Sequence, residues 1–460
     1  MSRARRARGA GWAWPALVWI VATALVGATV LLQVVVRPQL ASDPLVGGGR
    51  LDAPASAQAP GAVLPGLSAP SASVDAAALA RTLEALPRDG LGDLAGLVVD
   101  AETGTELYRV GSGARTPASS MKVLSGVVAL DVLGADTRFE TRTYLTADGQ
   151  VILRGGGDPL LASAHQDAYP HAASLEDLAA STAEALRARG VTSVELGYDA
   201  SLFGGPAWNP LWPETFATSV APITALTVDH ARPDANSWAR STDPARLAAD
   251  AFASRLAAQG IAVTEVEAEA TPAEAQQVAA VASPPVGVLV EHTLSESDND
   301  AAETLLWQVA LARGKTPNPD VSAATLITEL TRLGLWSDGM VAHDGNGISA
   351  DNQVTPDALV GAVRLAVQRP ALRHLLTGLP VAGVSGTLDE RFDAADSLAG
   401  RGLVRAKTGT IRGVNTLTGY VVTADGQPLV FAFMTSGGAG QTSARAWLDR
   451  ASSALASCGC

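Results

Sequence analysis

The chain reads as an α+β fold in which helices pack on an antiparallel sheet. Three observations predict it. The segment from Thr116 to about Leu133 is apolar on nearly every side of a helix, so that helix must be buried. Near the C-terminus three strand-like runs follow one another, two of them joined by Asp425-Gly426, a pair suited to a tight hairpin. A final helix comes after them, so helices and strands occur in blocks rather than in regular alternation.

The elements follow in order. Arg3, Arg5, Arg6 and Arg8 precede a run from Gly11 to Val36 that carries no charge and is closed by Arg37 and Pro38. About 20 apolar residues cross a bilayer, whereas the core of a cleaved signal needs only about 7–15. The sequence therefore predicts a membrane anchor over residues 1–38. Its arginines face the cytoplasm and the rest of the chain is exported. The other reading is a signal that is removed, leaving a secreted protein. Residues 39–74, with Pro44, Pro54, Pro60, Pro65 and Pro70, read as a linker. At about 3.1 Å per residue it could reach on the order of 100 Å.

Globular character starts near residue 75. A helix is predicted from Val74 to Leu86, before Pro87, and strands from Leu94 to Val99 and from Leu107 to Val110. Thr116 then serves as a cap and Pro117 as the first residue of the buried helix, which carries Met121, Val123, Leu124, Val127, Val128, Leu130 and Val132. Residues 144–275 form a long mixed stretch. A helix from Asp300 to Arg313 follows, then strands at Leu403–Thr410, Leu417–Thr423 and Leu429–Thr435, and a helix at Ser443–Ala456. The domain plan is 75–143 with 276–457 as one domain, and 144–275 inserted.

Composition narrows the function. Of 460 residues 47% are apolar and 17% charged, enough for a sizeable core and unlike a disordered chain. A net charge of −13 excludes a broad basic surface for nucleic acid. The only cysteines, Cys458 and Cys460, read as a frayed tail, with a disulfide as the alternative. No Cys/His spacing suggests zinc, and no His-Glu-x-x-His occurs, so no metal or organic cofactor is implied. Only three of 33 basic residues are lysines: Lys122, Lys315 and Lys407. Unlike arginine, lysine can lose its proton, so each position invites a chemical reason.

Two of those lysines fall in motifs. In Ser119-Ser120-Met121-Lys122 the amine lies one helical turn from the Ser119 hydroxyl. A serine hydroxyl needs a base to become a nucleophile, and a neutral lysine can serve. An exposed lysine is only about 0.04% neutral at pH 7, so burial must lower its pKa. Ser297-Asp298-Asn299 precedes a helix; by itself it is also a capping cluster. Lys407-Thr408-Gly409-Thr410 lies on a strand. Its amine and hydroxyls suit a carboxylate, and its glycine permits close approach at a strand edge. Each motif alone is weak. In this order they match the set found in penicillin-binding proteins and class A β-lactamases.

The chain resembles the D-alanyl-D-alanine carboxypeptidase/endopeptidase family of DacB type, the class C low-molecular-mass penicillin-binding proteins. Besides the three motifs, Gly156-Gly157-Asp158-Pro159, Asp199-Ala200-Ser201-Leu202-Phe203, Leu379-Pro380-Val381-Ala382-Gly383, Gly386-Thr387-Leu388 and Asp344-Gly345-Asn346-Gly347 carry the likeness. The last has asparagine where the family usually has serine. The 178 positions from Ser119 to Ser297 leave room for the family's inserted domains. The resemblance covers about residues 75–457. It implies a β-lactamase/transpeptidase-like catalytic domain acting on peptidoglycan stem peptides and acylated by β-lactams. Ser119 would be the nucleophile, Lys122 its base and Ser297 a proton relay. Asn299 would bind the substrate amide, and Lys407, Thr408, Gly409 and Thr410 would line the carboxylate site. Backbone N–H groups of Ser119 and Thr410 would form the oxyanion hole, and Lys407 would help keep Lys122 neutral.

Two rivals stand beside this reading. A β-lactamase or esterase could use the same scaffold, but no Glu-x-x-x-Asn lies between Asn299 and Lys407 for class A deacylation. A non-catalytic wall-binding protein would not need to retain its rare lysines. Among smaller candidates, Gly155–Asp158 reads as a structural turn rather than an anion nest. Trp208 and Trp212 read as packing of the inserted region, Arg405 and Arg412 as solvated strand ends, and His343-Asp344 as loop structure.

Overall fold

The computed structural model describes residues 74–438 and 440–459. The predicted membrane segment, and the linker up to residue 73, lie outside them. Among the described residues no helix is long and apolar enough to cross a membrane.

The chain begins with α1 (Ala76–Glu84), β1 (Gly92–Asp100), β2 (Glu106–Val110), α2 (Met121–Leu133), β3 (Glu140–Leu145) and β4 (Val151–Arg154). It continues with α3 (Leu175–Arg187), β5 (Ser193–Asp199), α4 (Pro244–Ala258), β6 (Ala262–Ala268) and β7 (Gln276–Ala282). Four helices follow: α5 (Val286–Ser295), α6 (Asn299–Ala312), α7 (Pro319–Arg332) and α8 (Pro356–Gln368). The short α9 (Arg373–Thr377) leads to β8 (Arg405–Ile411), β9 (Val414–Val422), β10 (Pro428–Gly437) and α10 (Gln441–Ala456).

One sheet, of order β2-β1-β10-β9-β8, is antiparallel throughout. It joins the first strands of the fold to the last, with Leu97 opposite Ala432. Side chains alternate between its faces. Leu97, Val99, Val430, Ala432 and Met434 meet the layer that contains α2, whereas Val98, Phe431 and Phe433 meet Leu79 of α1 and Trp447 of α10. Because β10 is buried on both faces, it reads as the unbroken run Leu429–Met434. The chain end is docked rather than frayed: Cys458 packs on this second core and is disulfide-bonded.

Helix α2 is buried from Met121 to Leu130 on all sides, as its composition predicts. Each large apolar side chain there contributes roughly 1.5–3 kcal/mol by leaving water. Its entry differs from the sequence reading. Thr116 does not cap it; the Thr116 hydroxyl donates to the Ala350 carbonyl at 3.0 Å. Ala118 adopts φ 47°, and a 3-10 turn over Ala118–Ser120 leads into the helix. No side chain caps the start of that turn or of α2.

The second sheet has order β6-β5-β4-β3-β7, with β4-β5 and β5-β6 parallel and the other pairs antiparallel. Helices α3 and α4 pack on it around Leu178, Leu186 and Phe252. Its strands begin at Glu140 and end at Ala282, so the sheet extends beyond the interval 144–275 at both ends. The intervening loop does not stay within this unit. Phe203, Trp212, Val220 and Ile223 pack against Trp307 of α6 and Ile348. The Gly155–Asp158 turn is structural: Gly155 and Gly157 N–H groups bond to the Asp199 and Ala225 carbonyls, so they are not free to hold an anion.

Candidate active site

The site forms where the entry to α2, the turn before α6 and the start of β8 converge. Ser119 sits in the 3-10 turn, and Lys122 follows within the first turn of α2. The Lys122 amine, wholly buried, donates to Ser119 Oγ at 3.0 Å, Asn299 Oδ1 at 2.7 Å and the Asn346 carbonyl at 2.6 Å. Burial pulls its pKa down to about 8, against the opposing pull of Asp344, Asp298, Glu303 and Asp300. At that value about a tenth is neutral at pH 7, some 200-fold more than for an exposed lysine.

Strand β8 fits tightly against the Ser119 turn. A Cβ on Gly409 would lie 2.1 Å from Thr416 Oγ1 and 2.6 Å from the Pro117 carbonyl. Glycine at this position therefore lets the strand approach the protein's own turn. Thr416 on β9 then ties the two together. Its hydroxyl donates to the Pro117 carbonyl at 2.9 Å and lies 2.7 Å from Ser120 Oγ. From the other side Gly347, at φ 82°, presses on the turn: a Cβ there would fall 1.9 Å from the Ala118 carbonyl. Sequence reasoning missed Thr416, because nothing local marks it. The glycines in both motifs were the only available signal.

The loop carrying Gly347 is held from within. Asp344 accepts bonds from the Gly347 and Ser349 N–H groups, Asn352 Nδ2 and, at 2.9 Å, Trp212 Nε1. His343-Asp344 is thus loop structure, and Trp212 is a strut beneath the site. Asn346 contributes its backbone carbonyl to Lys122; its Oδ1 accepts from the Ile348 N–H, at 3.0 Å.

In the second motif the residues divide their work. Asp298 caps α6, accepting from the Ala301 N–H at 3.0 Å. Asn299 is the first helical residue. Besides accepting from Lys122, it donates through Nδ2 to the Ser219 carbonyl at 3.0 Å. Both ends of its amide are therefore engaged by the protein. Ser297 adopts φ 58° and makes no hydrogen bond to Lys122; it faces the cleft.

Lys407 is also fully buried, and its amine donates to the Thr408 carbonyl at 2.9 Å. Burial first, then the charges of Lys122 and Arg391, hold its pKa well below the usual lysine range. Burial is the leading cause for both amines, as the sequence predicts for Lys122, and the repulsion between them weighs on Lys407. Thr408 bonds to Thr387 at 2.9 Å. Ser119, Ser297, Thr408 and Thr410 line one cleft of about 400 Å³, together with Thr387, from one of the segments that carry the likeness, and with Arg391 and Arg445, which sequence reasoning did not single out.

This geometry fits a class: acyl-transferring serine enzymes in which a buried amine, rather than an imidazole, faces the serine hydroxyl. The family model for the D-Ala-D-Ala carboxypeptidase 3 (S13) family matches residues 76–237 and 231–456, and the chain belongs to that family. It is 35% identical to Carboxypeptidase DacB of Mycolicibacterium smegmatis, over 88% of this chain and 89% of that protein. It is likewise 35% identical to a carboxypeptidase of Mycobacterium tuberculosis, over 95% and 97% of the two chains. The fold is similar to that of penicillin binding protein 4 (dacB) from Haemophilus influenzae, with a TM-score of 0.67 and 19% identity over 82% of this chain and 98% of that one.

Proposed function

We propose that the protein is a serine-type D-Ala-D-Ala carboxypeptidase and/or endopeptidase, working on peptidoglycan stem peptides or D-alanyl cross-links through an acyl-enzyme at Ser119. The observation that carries the reading is the buried Lys122 amine 3.0 Å from Ser119 Oγ with its pKa pulled down to about 8. Family membership supports the same chemistry.

Ser119 Oγ attacks the carbonyl between two D-alanines and gives its proton to Lys122 Nζ. The oxyanion that forms lies between the backbone N–H groups of Ser119 and Thr410. As the C–N bond breaks, the leaving amine takes up a proton, passed from Lys122 through Ser297. Because no hydrogen bond joins Ser297 to Lys122 in the free site, the substrate amine must bridge them. Water then hydrolyses the ester, and Ser119 regains its proton. Lys407, Thr408 and Thr410, beside Gly409, receive the terminal carboxylate. That anion favours the charged form of Lys407, so binding brings a proton into the site. Asn299 orients Lys122 and steadies the Ser219 loop, and contact with the substrate amide requires it to exchange one of these partners. A β-lactam, whose carbonyl and carboxylate stand in the same relation, acylates Ser119. No metal or organic cofactor takes part in these steps.

Export supports the substrate, which lies outside the cytoplasmic membrane. In this reading residues 11–36 anchor the chain, or are cleaved to release it. Sequencing the N-terminus of the mature protein distinguishes the two. The decisive experiment incubates full-length protein with defined muropeptides and weighs the products. Release of D-alanine, together with labelling by fluorescent penicillin that is lost in Ser119→Ala, is the expected result. Intact muropeptides and no labelling of folded wild type would sink it.

A further inference from the structure

Ser297 also borders a second cavity, of about 350 Å³, whose lining does not include Ser119. Among its lining side chains, His230, His292 and Asp298, from two stretches of sequence, form a cluster of metal-ligand types. Their candidate ligand atoms all lie within 4.8 Å of one another. His292 Nε2 is 3.1 Å from Asp298 Oδ2, and His230 Nδ1 is 3.6 Å from the same oxygen. A tetrahedral ion with bonds of about 2.0–2.1 Å sets its ligands roughly 3.3 Å apart. Two edges are therefore close to that spacing, and the third, between the two imidazoles, is no longer than 4.8 Å.

The surroundings hold these atoms in place. Asp298 Oδ1 is committed to the Ala301 N–H, which leaves Oδ2 for the two imidazoles. His292 stands on the last turn of α5. His230 is presented by an unusual turn: Asp229, His230 and Ala231 have φ 49°, 54° and 56°, three consecutive non-glycine residues in the left-handed region. Such residues cost about 1–3 kcal/mol each and persist where surrounding structure requires them. Two arginines line the same cavity: Arg232 lies over the Trp238 ring at 5.9 Å, and the charge of Arg240 is offset by a carboxylate. The Arg240 guanidinium lies 3.4 Å from Asp300 Oδ2 and also donates to the His230 carbonyl, fixing the left-handed turn.

We propose that His230, His292 and Asp298 bind one divalent transition-metal ion of the zinc type, which clamps the turn carrying Ser297 and Asn299 to the loop that returns from the second sheet. Two imidazoles and one carboxylate suit zinc or cobalt better than magnesium or calcium, which prefer all-oxygen sets. The remaining coordination position faces the cavity. The ion takes no part in proton transfer at Ser119, so the inference does not depend on the acyl-transfer reading. A search for local spacing overlooks the set, because residue 230 lies 62 positions before residue 292.

The test uses untagged full-length protein stripped with a chelator. Zn²⁺ is titrated calorimetrically, and Co²⁺ is followed by its visible spectrum. The expected result is one saturable equivalent, with the intense Co²⁺ absorption of a four-coordinate site that Zn²⁺ displaces. His230→Ala and His292→Ala each lose it, and His374→Ala, outside the cluster, keeps it. Absence of a saturable equivalent in wild type, leaving only an imidazole–carboxylate ion pair, overturns the proposal. So does an equivalent that survives in both variants. If an alanine variant does not fold, His230→Gln and His292→Gln replace it, and the wild-type titration still decides.

Discussion

The pH dependence of Ser119 acylation follows directly from the buried amine. If Lys122 must be neutral to accept the Ser119 proton, the acylation rate tracks its neutral fraction. With a pKa of about 8, that fraction is near 1% at pH 6, half at pH 8 and about 90% at pH 9. The rate constant for a fluorescent penicillin should thus rise about 90-fold from pH 6 to 9 and level off above pH 8. A lysine with its ordinary pKa would give a rise of nearly 1000-fold over the same interval with no plateau. The β-lactam carboxylate remains ionised throughout, so the profile reports the enzyme. Rapid mixing at each pH, at constant ionic strength, supplies the rates. Lys122→Arg keeps the positive charge at every pH and should lose at least ~1000-fold. A rate that is flat from pH 6 to 8, or still climbing tenfold per unit at pH 10, would refute the assignment of Lys122 as the base.

The same amine shapes stability. Its pKa is depressed in the folded state, so the unfolded chain binds more protons between pH 8 and 10.5. Wild type should gain about 3 kcal/mol from this group over that window, a gain absent in Lys122→Met when urea unfolding is compared at both pH values. Gly409→Ala forces a Cβ into Thr416 and the Pro117 carbonyl and displaces Ser119; a protein that still folds but acylates about 100-fold more slowly is expected, as measured with fluorescent penicillin. Trp212→Phe removes the Nε1 donor to Asp344 and should cost about 1–3 kcal/mol in urea unfolding, with slower acylation because the Asn346 carbonyl loses its support.

Much of this protein was legible in the sequence, and which parts were depends on range. Helix α2 was found because a continuous apolar surface over 13 residues is a local pattern. The three C-terminal strands were found through their apolar runs and their turns. Ser119 and Lys122 were paired by helical spacing alone. The second sheet was not resolved into strands, because β6 and β7 are largely exposed and show little apolar alternation. Thr116 misled as a cap because the left-handed Ala118 intervenes.

By itself the sequence determined the order of the three motifs, the buried helix that carries Lys122, and the rarity of lysine in so arginine-rich a chain. The first two depend on residues a few positions apart, whose spacing the backbone geometry converts directly into neighbours. Only the tertiary structure decided which atoms surround the Lys122 amine, that Gly409 makes room for the Ser119 turn, and that His230 meets His292 and Asp298. Desolvation and close approach are sums over atoms contributed by distant segments, so no stretch of chain read alone contains them.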